Sequence, residues 1–202
     1  MNNLSNIKKY FQPHRILDIG GRVGEFYHHC HAAYPDSYYF IIEGNVNCEG
    51  HIKSNNVDYS IEMLSDSIRE VEFYINKDDT LSSGCSYYRE CNTGYFEKDN
   101  IIVEKRMTNT LDNMFTEDST FDLIKIDTQG SELDIIKGGL NLCGKTSGLL
   151  LECSLEICNE NAPLYDDIKL YLSGIGFYEG EILDNHYYQG RLVQVDSLFI
   201  RK

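Results

Sequence analysis

The sequence predicts an α/β fold: a mostly parallel central sheet with helices on both faces and an antiparallel hairpin at its C-terminal end. Three observations predict it. Apolar runs of strand length alternate with stretches of helical period along most of the chain, as they do when helices cover a parallel sheet. Two of those runs, RILDIG and FDLIKID, carry an acid at or next to their end with a glycine close behind it, which suits a sheet whose carboxyl edge faces a ligand. The last two runs are separated only by DNHYYQG, too short for a crossover, so they must pair antiparallel.

Taken in order, residues 15–20 form the first strand. Residues 24–33 form a helix whose apolar face carries Val23, Phe26, Tyr27, Cys30 and Tyr34. YYFIIE at 38–43 is the second strand, a short helix follows near 47–54, and 57–64 is read as one third strand. EVEFYI at 70–75 alternates as an added strand or hairpin arm does. Residues 76–100 have no period and carry Tyr87, Tyr88, Tyr95 and Phe96 among serines and glycines, the composition of a functional loop. A strand at 101–108 and a short helix at 111–115 lead to the central strand 121–127. The helix 131–137 comes next and stops at Gly138-Gly139. GLLLEC at 148–153 is a buried strand, 164–173 an amphipathic helix closed by Gly174, and 178–183 with 191–200 the final hairpin.

Within these 202 residues no linker-like stretch interrupts the pattern, so one domain is expected. Residues 15–75 are its cofactor-binding half, 77–100 a lid or acceptor loop and 121–202 its catalytic half. No apolar run approaches the ~20 residues of a membrane helix. The start MNNLSNIKKYFQPHR carries no apolar signal core, so a cytoplasmic location is expected. The net charge of −14 repels phosphate backbones and anionic headgroups, which makes nucleic acid and membrane poor partners. Seven cysteines without a C-x-x-C pair or zinc-like spacing read as reduced thiols.

The loop ILDIGGRVGEF places Asp18, Gly20 and Gly24 between the first strand and its helix. This is neither the G-x-G-x-x-G of a dinucleotide site nor a phosphate loop. An acid on the strand itself repels a pyrophosphate and suits a cationic ligand group, such as the sulfonium and α-ammonium of S-adenosylmethionine. Glu43, 23 positions after Gly20, stands where nucleotide-binding sheets place a ribose carboxylate. Asp127 closes its strand at the carboxyl edge, where a ligand of such a sheet sits. It is read as a base or orienting acceptor, against the plainer reading of a helix cap. Lys125 shares its face, and a buried lysine needs a partner, expected in Glu152 or Glu132. Glu132 lies in the first turn of a helix, where the dipole favours its charge. Asp127 with Glu152 alone is too small a donor set for a cation, so no metal is assigned. His28, His29 and His31 project to solvent, and His186, Tyr187 and Tyr188 are read as a turn. The loop tyrosines either stack on an acceptor or pack the loop down.

With FDLIKIDTQGSELDIIKGG added, the chain resembles the FkbM family of S-adenosylmethionine-dependent methyltransferases. That family's pattern of strand, Lys-x-Asp-x-x-Gly-x-Glu and a helix ending in Lys-Gly is matched by Lys125, Asp127, Gly130, Glu132, Lys137 and Gly138. LDIGGRVGEF, IIEGN, the LSD at 64–66, the SSG at 82–84, the TLD at 110–112, LLLEC and the GF at 176–177 look like its weaker signals, so the likeness runs over 15–178. Gln129 stands where many members have glutamate. The resemblance implies a Rossmann-like class I methyltransferase fold, with methyl transfer to an oxygen of a sugar, glycan or small metabolite. It implies that Asp18, Gly20 and Gly24 hold the methionine end of the cofactor, Glu43 the ribose and Asp66 the adenine amine, with Asp127, Glu132 and Lys125 as the catalytic group. A nicotinamide-dependent oxidoreductase and a non-catalytic module that has kept the fold are the competing readings.

Overall fold

The computed structural model describes residues 3–91 and 100–202. Its elements run β1 (Arg15–Ile19), α1 (Glu25–Ala33), β2 (Tyr38–Glu43), α2 (Glu49–Ser54), β3 (Asp58–Ile61), β4 (Met63–Leu64), β5 (Glu70–Asn76), β6 (Ile101–Asn109) and α3 (Leu111–Met114). They continue with β7 (Leu123–Ile126), α4 (Glu132–Lys137), α5 (Leu140–Cys143), β8 (Gly148–Ser154), α6 (Tyr165–Gly174), β9 (Phe177–Tyr188) and β10 (Arg191–Arg201). The main sheet has the order β3-β2-β1-β7-β8-β10-β9. Its first five strands are parallel, and β10 runs antiparallel to both β8 and β9. The chain winds outward from β1 to β3 and then returns to β7, so the order reverses between β1 and β7 and opens a crevice at their carboxyl ends. This is the class I methyltransferase fold, with the mostly parallel sheet and antiparallel terminal hairpin that the sequence predicts.

Three stretches depart from the sequence expectation, each for a local reason. The run 57–64 is two strands, because the chain changes sheets at Glu62. The Glu62 amide still donates to Glu43 at 2.9 Å, while β4 pairs with β6 in a second, three-stranded sheet of order β4-β6-β5. Helix α5 follows the Gly138-Gly139 stop, and Asp112 takes the amides of Asn141 and Leu142 at 3.0 Å to hold its start. The final hairpin has no seven-residue connection: Gln189 (φ 49°) and Gly190 (φ 79°) form a two-residue left-handed turn, which suits strand twist. His186, Tyr187 and Tyr188 therefore belong to β9.

Strand alternation decides which face of the main sheet each residue meets. On one face Leu17, Ile19, Ile124, Ile126, Leu149, Leu151, Val195 and Phe199 join a core with residues of α4, α5 and α6. On the other, Ile16, Leu123, Leu150 and Leu198 pack with Phe26, Cys30 and Tyr34 and with Leu4 and Ile7 of a short 3-10 helix. Along β1, β7, β8 and β10 the next side chains on this second face are Asp18, Lys125, Glu152 and Asp196, all buried. The α1 face is thus apolar at its base and charged toward the carboxyl edge. No helix among the described residues is long and apolar enough to cross a membrane, and the seven cysteines are free thiols.

Candidate active site

A cavity of about 360 Å³ opens over the carboxyl ends of β2, β1 and β7. Of the residues assigned to catalysis or cofactor binding from sequence, Gly20, Glu43, Lys125 and Asp127 line it. Asp18 stands immediately behind the wall, since a Cβ on the lining residue Gly21 would come 3.2 Å from its Oδ2. Gly24, Asp66 and Glu132 are not on the wall.

The glycine loop is built by backbone contact. The Gly20 amide donates to Ile42 at 2.9 Å and the Asp127 amide to Ile19 at 3.0 Å, which draws the ends of β2, β1 and β7 together. At Gly20 φ is +78°, and a Cβ there would fall 1.8 Å from the Asp127 carbonyl oxygen, so only glycine fits. Gly24, in the left-handed conformation, hands the loop into α1 as its N-cap.

Glu43 closes β2 and turns back under the loop. One carboxylate oxygen accepts the Arg22 amide and the other the Asn45 amide, each at 2.7 Å. Burial raises its pKa, and these two N–H donors work against the rise. Behind the loop, both Asp18 carboxylate oxygens are buried without a hydrogen bond. Burial pushes this carboxyl up to about 6, with the Lys125 ammonium only partly offsetting it.

Lys125 does not pair with Glu152 or Glu132. Its Nζ lies 3.0 Å from Asp127 Oδ2 and 3.6 Å from Asp18 Oδ1, with the Phe26 ring centroid 5.1 Å away. The reason is geometric: Asp18 is its cross-strand partner on β1, whereas Leu150 is its partner on β8. Burial works against the lysine's charge, but the Asp127 and Asp18 carboxylates outweigh it and raise its pKa above the ordinary value. For Asp127 burial likewise opposes the charge, but Lys125 together with side-chain hydrogen bonds from Gln129 and Glu152 outweighs it and holds this carboxyl below its usual range. The Gln129 side-chain amide donates to Asp127 at 3.2 Å and also to Glu152.

Glu132 is taken up by the turn that precedes its helix. Its carboxylate accepts the Thr128 amide at 2.9 Å and the Gly130 amide at 3.0 Å, which fixes the passage from β7 into α4. Burial pushes it up to about 7 despite those N–H donors. Asp66 is exposed, 3.5 Å from Arg69, and accepts from Ser67 at 2.9 Å, which is ordinary turn chemistry. Met63 and Leu64, just before it in the chain, line the cavity. The hydroxyls of Tyr87 and Tyr88 both donate to Asp134, at 3.2 and 2.8 Å, so this part of the loop is packed down, with Tyr87 still on the cavity wall. Tyr95 and Phe96 lie outside the described residues.

Sequence reasoning missed His186, Asp184 and Asp196, which line the cavity from β9 and β10. The signal lay in the hairpin: QG is a two-residue turn, and moving the strand end to Tyr188 puts His186 opposite Gln194, next to the row of Asp196 and Glu152. Glu152, His186 and Asp196 offer three atoms that could hold a metal ion, all within 4.8 Å of one another. His28 and His31 are exposed, as expected, while His29 is exposed and also lines the cavity.

Comparison with known proteins bears on the whole arrangement. The methyltransferase FkbM domain matches residues 18–178. No curated protein matches the chain. Among solved structures the chain is similar to the plantazolicin methyltransferase BpumL, in complex with a monoazolic desmethylPZN analog and SAH. That similarity has a TM-score of 0.58 at 11% identity and covers 98% of this chain and 80% of the other. It is also similar to a TehB-like SAM-dependent methyltransferase from Corynebacterium glutamicum (TM-score 0.51, 10% identity, 100% and 89% covered). A third is precorrin-6y C5,15-methyltransferase from Geobacter metallireducens (TM-score 0.51, 13% identity, 98% and 86% covered). At these identities the structural likeness speaks for the fold alone, while the domain match spans most of the chain: the protein belongs to the FkbM family of S-adenosylmethionine-dependent methyltransferases.

Proposed function

We propose that the protein transfers a methyl group from S-adenosylmethionine to a hydroxyl oxygen of a sugar, glycan or other small metabolite. The observation that carries this reading is the contact of Gly20 with the Asp127 carbonyl, which makes the glycine loop and Asp127 adjoining parts of one cavity wall. The residues present fit the cofactor: Asp18 keeps a buried carboxylate without a hydrogen-bond donor beside a loop that only glycine can form. Gly20 faces the methionine end, with Asp18 behind it and Gly24 turning the loop into α1, and Glu43 accepts from the ribose hydroxyls. The cofactor supplies a methyl carbon already activated by its sulfonium.

What remains for the chain is positioning and proton removal. Asp127 orients the acceptor hydroxyl and takes its hydrogen bond. Lys125 keeps that carboxylate ionised, and Glu132 holds the turn that aims it. The net charge of −14 favours a small acceptor over a nucleic acid.

Calorimetry with S-adenosylmethionine and with NAD tests the cofactor: binding of the first and not the second is expected, and affinity for neither overturns the enzymatic reading. A mass-spectrometric screen of sugars and metabolites for the gain of one CH2 then identifies the acceptor. Product hydrolysis and fragmentation place the methyl on oxygen or nitrogen.

A further inference from the structure

On the side of Asp127 away from Glu43, the sheet carries polar side chains to which methyl transfer gives no task. Glu152 on β8, Asp196 on β10 and Asp184 on β9 are successive cross-strand partners. His186 reaches into this row. Its Nε2 lies 2.8 Å from Asp196 Oδ2 and 3.8 Å from Glu152 Oε1. Oxygen and nitrogen ligands about 2.0–2.2 Å from one ion sit roughly 3–3.5 Å from each other, so small side-chain adjustments bring all three atoms onto a shared coordination shell.

The surroundings support such a shell. Glu152 Oε2 is held by the side-chain amides of Gln194, at 3.0 Å, and Gln129, which leaves Oε1 toward His186. Outer hydrogen bonds of this kind orient a ligating carboxylate. Charge is also out of balance. Among the described residues, His186 is the only basic side chain within ion-pair distance of Glu152 or Asp196, while Lys125 is engaged by Asp18 and Asp127. His186 and Asp196 line the cavity, which gives an ion a path in.

We propose that Glu152, His186 and Asp196 form a binding site for one divalent cation of the Mn²⁺ or Zn²⁺ kind, opening into the cavity beside Asp127. One imidazole nitrogen with two carboxylate oxygens is a mixed donor set, better suited to these ions than to Mg²⁺. The site stands apart from the methyltransferase reading; only its use, holding an acceptor oxygen next to Asp127, rests on that reading.

Mn²⁺ is the deciding probe, since seven free thiols compete for Zn²⁺. Calorimetry or Mn²⁺ electron paramagnetic resonance on the full chain is expected to show one Mn²⁺ per chain. Binding should weaken at least tenfold in Glu152→Gln and in His186→Gln and stay unchanged in His28→Gln, with thermal melts confirming that each variant is folded. No Mn²⁺ binding by the wild type, or equal binding by the folded variants, overturns the site. S-adenosylmethionine titrated into the same samples separates the two ideas: Mn²⁺ bound without the cofactor sinks the function, and the cofactor bound without Mn²⁺ sinks the cation site.

Discussion

Lys125 and Asp18 are direct cross-strand partners, their charged atoms 3.6 Å apart and their side chains only 4% and 0% exposed. Removing one member of such a pair strands the other charge in the interior. Lys125→Met is therefore expected to lower stability by about 3–5 kcal/mol in urea unfolding. Adding Asp18→Asn should recover part of that loss. If the double variant is as unstable as the two single losses added, the pair is not coupled.

Asp127 carries the chemistry in the proposed reaction. Asp127→Asn keeps the shape of the side chain and removes its charge, so S-adenosylmethionine affinity should change by less than about tenfold while turnover falls by roughly 10²–10⁴. Unchanged turnover with an identified acceptor would reduce Asp127 to a structural role in its turn.

Two glycines make a controlled comparison. At Gly20 an added Cβ meets the Asp127 carbonyl oxygen at 1.8 Å, whereas at Gly50, inside α2, it meets nothing within 4 Å. Gly20→Ala should abolish measurable cofactor binding in calorimetry. Gly50→Ala should leave binding intact and stabilise the fold by about 0.5–1 kcal/mol. Equal behaviour of the two variants would contradict the close approach at Gly20.

Stability should fall as the pH rises through the weakly acidic range. Burial lifts Asp18 from 3.8 to about 6 and Glu132 from 4.5 to about 7, so each binds its proton more tightly folded than unfolded. Between roughly pH 4 and 7 the unfolded chain carries fewer protons. Each group then costs up to about 1.4 kcal/mol per pH unit, a loss complete above its folded value. Urea unfolding at pH 5, 6 and 7.5 measures this slope, and Glu132→Gln should flatten it. Parallel profiles for the variant and the wild type would exclude Glu132 as a contributor.

Much of this was legible in the sequence because period and punctuation carry it. The strand ends at Gly20, Glu43 and Asp127 are marked by apolar runs breaking at acids and glycines, and the structure brings all three to one cavity. That Lys125 also pairs with Asp18 was not legible, because it depends on the β1–β7 register, which no local pattern encodes. Asp66 looked like a site residue by motif, yet its sequence is also that of a turn. His186 was hidden by the assumption that polar residues near a hairpin tip are loop; the turn is only Gln189-Gly190, and the strand before it carries the histidine into the cavity.

The meeting of Gly20 with the Asp127 carbonyl reaches beyond the fit of one residue. Two backbones in van der Waals contact, each tied by its amide to the neighbouring strand end, leave no slack between the places that the proposed reaction assigns to the cofactor and to the acceptor. In that reaction the spacing of the two partners would be set first by main chain and only then by side-chain rotamers. On that reading, changes at Tyr87 or His186, which line the cavity from other elements, would alter acceptor preference and leave this backbone contact in place.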